Sequence, residues 1–289
     1  MQTIAIIGLG LMGGSIAKAL KRSGKYKVLG FDTSGEVLNA ALEQGVIDGV
    51  VHTDKDIDAD ITVLAVEPRA ALSLIEQLPG KLKKGSILTD ICGIKGKIVS
   101  FGESVCEPLG ISFVGGHPMA GREKSGFEFS DENLFYNRSY ILTKTKRTNP
   151  AALDRLSQMA EDIGCADVTV TSPEHHDKMI AYTSQLPHIL AGAYINSPTS
   201  VSHKGYSAGS YHDVSRVASV DENLWTQLFA ANKENLLFEI DILIKNLEGY
   251  RSAIAEEDAM RLQNTIRTGR ILKERDIILN GSEKPHKFG

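Results

Sequence analysis

Residues 4–14, IAIIGLGLMGG, decide the fold. From Thr3 to Ile7 the side chains are small, apolar or β-branched, as in a buried strand. The chain then turns through glycines into SIAKALKRSG, whose apolar residues recur at helical spacing and which ends on a glycine. Between a strand and a helix, the G-x-G-x-x-G of Gly8, Gly10 and Gly13 gains the context that makes it informative. Gly8 permits the tight turn, Gly10 lets backbone approach a pyrophosphate, and Gly13 lets the helix sit close to the strand. The helix N-terminus then offers unpaired N–H groups and the positive end of its dipole to an anion. Asp32 closes the next apolar run, KVLGFD, about 20 residues on, the spacing of a ribose-binding acid. A carboxylate there accepts from both ribose hydroxyls and repels a 2′-phosphate, so NAD is expected over NADP. The expected cofactor set is Gly8, Leu9, Gly10, Leu11, Met12, Gly13, Asp32 and Thr33, joined by Val66 and Cys92 further along the chain.

Outward from this unit the same alternation continues. SGEVLNAALEQG reads as a helix, DITVLAV as a buried strand and RAALSLIEQL as another helix. Further strands are expected at 86–89, 111–114 and 139–143, with a last one ending near Thr171. Alternating strands and helices imply a parallel sheet with right-handed crossovers. From Ser172 the texture changes to long helical stretches, opening with a serine cap and a first-turn proline in SPEHHDKMIAYTSQL. The stretch from Leu224 to Ile254 is too long and apolar for a lone surface helix and needs a partner for part of its face. The expected fold is therefore an α/β N-terminal Rossmann-type parallel sheet with an all-α C-terminal dimerisation domain. Its expected divisions are 1–171 for NAD binding, 172–280 for substrate binding and dimerisation, and a polar tail at 281–289.

Composition narrows the function class. The 289 residues are 42% hydrophobic and 24% charged, ordinary for a globular protein able to build cores. A net charge of −4 supplies no basic footprint for nucleic acid. Cys92, Cys106 and Cys165 form no pair or framework and read as reduced thiols. With no signal peptide or spanning segment at the start, a cytoplasmic protein with no membrane contact is expected. No metal is expected either: adjacent His175 and His176 point to different helix faces, unlike an i, i+4 ligand pair, and with Asp177 they read as surface or helix-start residues.

Three further segments carry the chemistry: GGHPMAGREKSG at 115–126, SQLPH at 184–188 and SAGSYHDVSRVA at 207–218. Together they resemble the prephenate dehydrogenase family, whose members carry G-x-H-P-M-x-G often followed by E-K-S-G, S-x-L-P-H, and D-x-[ST]-R-[IVL]-A. The resemblance runs from the first strand through Trp225 and implies an NAD-dependent oxidative decarboxylation of prephenate in tyrosine biosynthesis. It also implies a homodimer formed through the helical domain. In that reaction His117 is expected to accept the C4-hydroxyl proton, a task suited to a neutral imidazole. The resemblance places Arg216 on the ring carboxylate, where a planar fork suits bidentate binding. It places His188 and Ser184 near the substrate side chain, Gly209 alongside with backbone groups, and Glu123 and Asp213 as acidic partners of the arginine.

This sequence departs from the family in two places. Cys92 and Gly93 stand where many members have glycine and serine within D-x-G-S-x-K, so the hydroxyl beside the catalytic histidine is missing. Arg122 stands where threonine is frequent. Neither a chorismate mutase segment before the nucleotide fold nor a regulatory ACT domain after it is expected, so any tyrosine feedback would have to act at the active site. Three other readings compete. Arogenate, with an amine in place of the keto group, is the nearest; prephenate is expected because His188 can donate to a keto oxygen. A non-catalytic NAD-binding dimeric sensor is the second. The third, a β-hydroxyacid dehydrogenase, shares the glycine-rich start but needs a K-x-x-x-N pair early in its helical domain, which is absent after Ser172.

Overall fold

The computed structural model describes residues 1–122 and 124–281; Glu123 and nearly all of the expected polar tail lie outside them. One eight-stranded sheet organises the chain. In chain order its strands are β1 (Gln2–Ile7), β2 (Tyr26–Phe31), β3 (Gly49–Val50), β4 (Ile61–Leu64), β5 (Ile87–Asp90), β6 (Ser112–Pro118), β7 (Ser139–Thr143) and β8 (Asp167–Thr171). They lie side by side as β3-β2-β1-β4-β5-β6-β7-β8. The first six pair in parallel, whereas β6 and β7 run antiparallel, with His117 opposite Ile141. The sheet is thus parallel over its nucleotide-binding half and mixed beyond it.

Helices α1 (Leu11–Ser23), α2 (Gly35–Glu43), α3 (Pro68–Gln77), α4 (Gly96–Cys106) and α5 (Pro150–Asp162) make the crossovers. Central strands buried on both faces need continuous apolar runs. Accordingly Ile4 and Ile6 enter one core with Ile16 and Leu20 of α1, while Ala5 and Ile7 enter the other with Ala71 and Ile75 of α3. The strand order reverses between β1 and β4, and ligands bind open α/β sheets at the carboxyl ends of the strands at such a point.

After β8 the chain is helical: α6 (Pro173–Ile180), a π-helical turn at Ala181–Gln185, α7 (Leu186–Ile195), α8 (Gly209–Ser215), α9 (Glu222–Ala231), α10 (Lys233–Ala255) and α11 (Ala259–Asn280). Ser172 caps α6 as expected, its side chain accepting from the His175 N–H. Pro187 has no N–H to give to the preceding turn, and a widened π turn just before it absorbs that defect without ending the helical run. The predicted long helix breaks at Asn232, which closes α9.

Two compact units result, one spanning Met1–Leu236 and the other starting at Leu237 within α10. Helices α6 to α9 therefore belong to the unit that contains the sheet. No described helix is long and apolar enough to cross a membrane.

Candidate active site

At two positions the glycine loop is packed too tightly for any side chain. Gly8 has φ +96°, and a Cβ there would lie 2.5 Å from the Ala65 carbonyl oxygen; one on Gly13 would lie 1.9 Å from the Gly8 oxygen. Gly10 differs: a Cβ would meet nothing within 4 Å, so the space above the start of α1 is open. Asp32 is held in place by donors on both oxygens, the Leu9 N–H at 2.8 Å and the Ser34 N–H at 2.9 Å. Leu9 and Leu11 are buried, Met12 packs against the core and Thr33 is exposed. Val66 lies against Gly8, 2.8 Å from its notional Cβ, and its carbonyl faces the Cys92 thiol at 3.6 Å. Burial pushes the Cys92 thiol far up, so it stays protonated and packs as a small apolar group.

Along the carboxyl ends of β5 and β6 lies a buried polar cluster. Lys95 and Asp90 form an ion pair with no solvent exposure, and Lys95 Nζ also donates to the Gly116 carbonyl at 2.7 Å. The glycines before His117 make room for this: a Cβ on Gly115 would stand 2.6 Å from Thr143 Oγ1 and 3.0 Å from Lys95 Cδ. His117 itself lies within β6, near its end, not in a turn. Its Nδ1 is 2.9 Å from Nε2 of His176, whose Nδ1 is 2.7 Å from Asp177 Oδ1. The Asp177 oxygens also accept from the Lys95 N–H and the Gly96 N–H, each at 2.8 Å, and so cap the start of α4. Asn232 donates to the Asp177 carbonyl and to Gln185 Oε1, both at 2.8 Å, which ties α9 to α6 and the π turn. Burial, then the neighbouring His176 and Lys95, hold His117 well below the ordinary imidazole value.

In front of His117 is a cavity of about 640 Å³, a size suited to a small ligand. Its lining draws on all three chemical motifs: His117, Ser184, His188 and Arg216. Among the described lining residues, Arg122, Lys124 and Arg216 set three cations against the single carboxylate of Asp221. His188 donates from Nδ1 to the Val217 carbonyl at 2.7 Å and packs against Trp225, ring centroids 3.8 Å apart and planes tilted by 46°. Arg122 pairs with Asp131 at 2.6 Å.

Two family models cover most of the chain. The prephenate dehydrogenase nucleotide-binding domain matches residues 16–169, and the prephenate dehydrogenase dimerization domain matches residues 172–268. The chain belongs to the prephenate dehydrogenase family. It is 33% identical over 280 residues to the prephenate dehydrogenase of Bacillus subtilis (strain 168), covering 93% of this chain and 74% of that protein. It also superposes on the crystal structure of prephenate dehydrogenase from Aquifex aeolicus in complex with hydroxyphenyl propionate and NAD+. There the TM-score is 0.85 and the identity 34%, over 95% of this chain and 98% of that one. Against the crystal structure of Synechocystis arogenate dehydrogenase the TM-score is 0.80 and the identity 25%, over 94% and 99% of the two chains.

Measured against the residues that the family resemblance singled out, the cavity gathers His117, Ser184, His188 and Arg216, together with Gly93 and Trp225. Gly209 and Asp213 lie on exposed positions of α8 outside this lining, and Glu123 lies outside the described residues. One reading is corrected. His176 and Asp177 are not surface residues: they are 1% and 6% exposed and stand directly behind His117, whereas His175 is exposed. On a helix with one buried face, adjacent positions can both be exposed, as Glu174 and His175 are, or both buried, as His176 and Asp177 are, so the local pattern did not decide which. Asp90 and Lys95 stand at the two ends of the family's D-x-G-S-x-K pattern, which marked the segment but not the buried ion pair between them.

Proposed function

We propose that this family member oxidises and decarboxylates prephenate, with NAD as hydride acceptor. The observation that carries the reading is the single cavity on which His117, Ser184, His188 and Arg216 converge from three motifs far apart in sequence.

The nucleotide end fits the cofactor. Gly10 leaves open space above uncapped N–H groups at the start of α1, where a pyrophosphate is accommodated, and Asp32 is fixed at the end of β2 to accept ribose hydroxyls. Bound NAD supplies the acceptor for the hydride that leaves C4 of the ring. Cationic side chains in the lining, Lys124 and Arg216 among them, suit a substrate that carries carboxylates. Arg216 is the partner for the ring carboxylate, holding it by a two-pronged contact.

His117 takes the C4-hydroxyl proton on Nε2, the ring nitrogen on the cavity side, where Gly93 lines the wall. As the C4–H bond breaks, the oxygen becomes a carbonyl; the ring–carboxylate bond then breaks, carbon dioxide leaves, and its electron pair aromatises the ring. The proton on His117 returns to the resulting phenolate oxygen, so the turnover releases no net proton. Loss of carbon dioxide makes the sequence irreversible.

Arogenate is the substrate that this reading must exclude. His188 gives its Nδ1 proton to Val217, so its Nε2 donates to a keto oxygen only when the ring carries a second proton. The test is the rate of nicotinamide reduction with prephenate and with arogenate. Prephenate turnover is expected to dominate, to fall about 10²- to 10⁴-fold in His117→Asn with NAD affinity unchanged, and to show chiefly a raised KM in Arg216→Ala. Faster turnover of arogenate would reassign the substrate, and a flat trace with tight NAD binding would make the protein a sensor.

A further inference from the structure

The chain His117–His176–Asp177 has a polarity that hydrogen bonding alone dictates. Asp177 Oδ1 already receives the Lys95 N–H and Oδ2 the Gly96 N–H, so both oxygens act as acceptors and His176 must present a proton on Nδ1. A neutral His176 is then bare at Nε2, the atom 2.9 Å from His117 Nδ1, and His117 must place its own proton on Nδ1. The remaining nitrogen, His117 Nε2, is left bare on the cavity side. In the opposite arrangement lone pairs would face each other at 2.7 Å between His176 Nδ1 and Asp177, a buried repulsion.

We infer that Asp177, acting through His176, is the positioning device that fixes the tautomer of His117 and so makes its cavity-facing nitrogen a proton acceptor. The inference rests on the proposed role of His117 and deepens it. Two further features fit. Both imidazoles are kept neutral: burial and then His176 and Lys95 act on His117, while on His176 burial outweighs the opposing pull of Asp177. The charged groups around the pair are Lys95 and Asp90 from the β5–α4 segment and Asp177 from α6; Gln185 and Asn232 complete the polar surround without charge. When His117 gains the substrate proton on Nε2, its Nδ1 proton moves toward His176 Nε2 and the positive charge spreads toward the Asp177 carboxylate. It moves back as the proton returns to the phenolate.

His176 and Asp177 touch neither cavity nor substrate, so the test must read position rather than contact. The full-length chain, labelled with ¹⁵N at histidine and free of ligand, is examined at neutral pH by long-range ¹H–¹⁵N correlation, which distinguishes the two neutral tautomers. Wild type is expected to show His117 protonated at Nδ1. His176→Leu, which removes the acceptor, is expected to lose that preference and about 10²-fold in kcat, with KM for prephenate changed less than about twofold. His176→Gln places an amide oxygen near the lost Nε2 position and is expected to restore both the tautomer and most of kcat. A wild-type His117 protonated at Nε2, or a Leu variant that keeps tautomer and kcat, overturns the inference. So does a Gln variant as impaired as the Leu variant with the tautomer unaltered, which marks His176 as merely structural. Failure of the underlying reading looks different: His117→Asn would then retain turnover, whatever the tautomer in wild type.

Discussion

At position 93 a glycine takes the place where many relatives carry a serine, and the geometry says what that costs. A Cβ added to Gly93 would stand 3.8 Å from His117 Nε2 and 3.4 Å from Leu228 Cδ2, ordinary contact distances, and Gly93 does not need a positive φ. Gly93→Ser should therefore fold without strain and put a hydroxyl within reach of the proton acceptor. We expect kcat for prephenate to rise severalfold with NAD affinity unchanged; steady-state kinetics beside NAD titration checks this, and an unchanged or lower kcat would show that this active site has adapted to doing without the hydroxyl. At this scale the sequence was informative where chemistry is local. The G-x-H-P motif marked His117, and the glycine spacing marked Asp32. It was blind where chemistry depends on contacts between distant elements: Lys95 reaches the Gly116 carbonyl and His176 contacts His117, neither partner near in sequence.

Among elements, strand β1, the glycine turn and helix α1 were legible, since apolar runs, φ-permissive glycines and helical periodicity all point the same way. Less was legible after β5. The reversal of β7 against β6 follows from a connection that carries no crossover helix, and His117 counts as strand because its backbone pairs across to Ile141, a partner 24 residues away. The π turn at Ala181–Gln185 depends on Pro187 being embedded in a helix, whereas proline in sequence signals a helix start or stop. The junction of β2 with the glycine loop yields its own prediction. Asp32 bonds the Leu9 N–H, so one carboxylate both orients the loop and selects the ribose. Asp32→Ser should raise the NADP-to-NAD ratio of kcat/KM about tenfold, about 1.4 kcal/mol, and lower stability by about 1 kcal/mol through the lost bond. Matched kinetics with both dinucleotides and a denaturant melt measure the two effects; an unchanged cofactor ratio removes Asp32 from the ribose site.

For the whole molecule, what remains to be explained is apolar surface. On α10, Leu237, Phe238, Ile244 and Leu247 are each about half exposed; on α11, Ile271 is 50% exposed and Ile278 81%. Scattered exposed leucines are normal, but rows of large aliphatic side chains along two helices exceed what a monomer presents to water. The family model over residues 172–268 describes a dimerization domain, and a second copy of the chain is the partner we propose for these helices. Light scattering behind size exclusion should give twice the 31.4 kDa chain mass. The double substitution Ile271→Glu, Ile278→Glu alters positions already facing solvent, so the single chain loses little. A two-fold interface counts each new carboxylate twice and must desolvate all of them, which should shift the protein to monomer at micromolar concentration. A monomeric wild type would overturn the proposed dimer, and a variant that stays dimeric would move the interface away from α11.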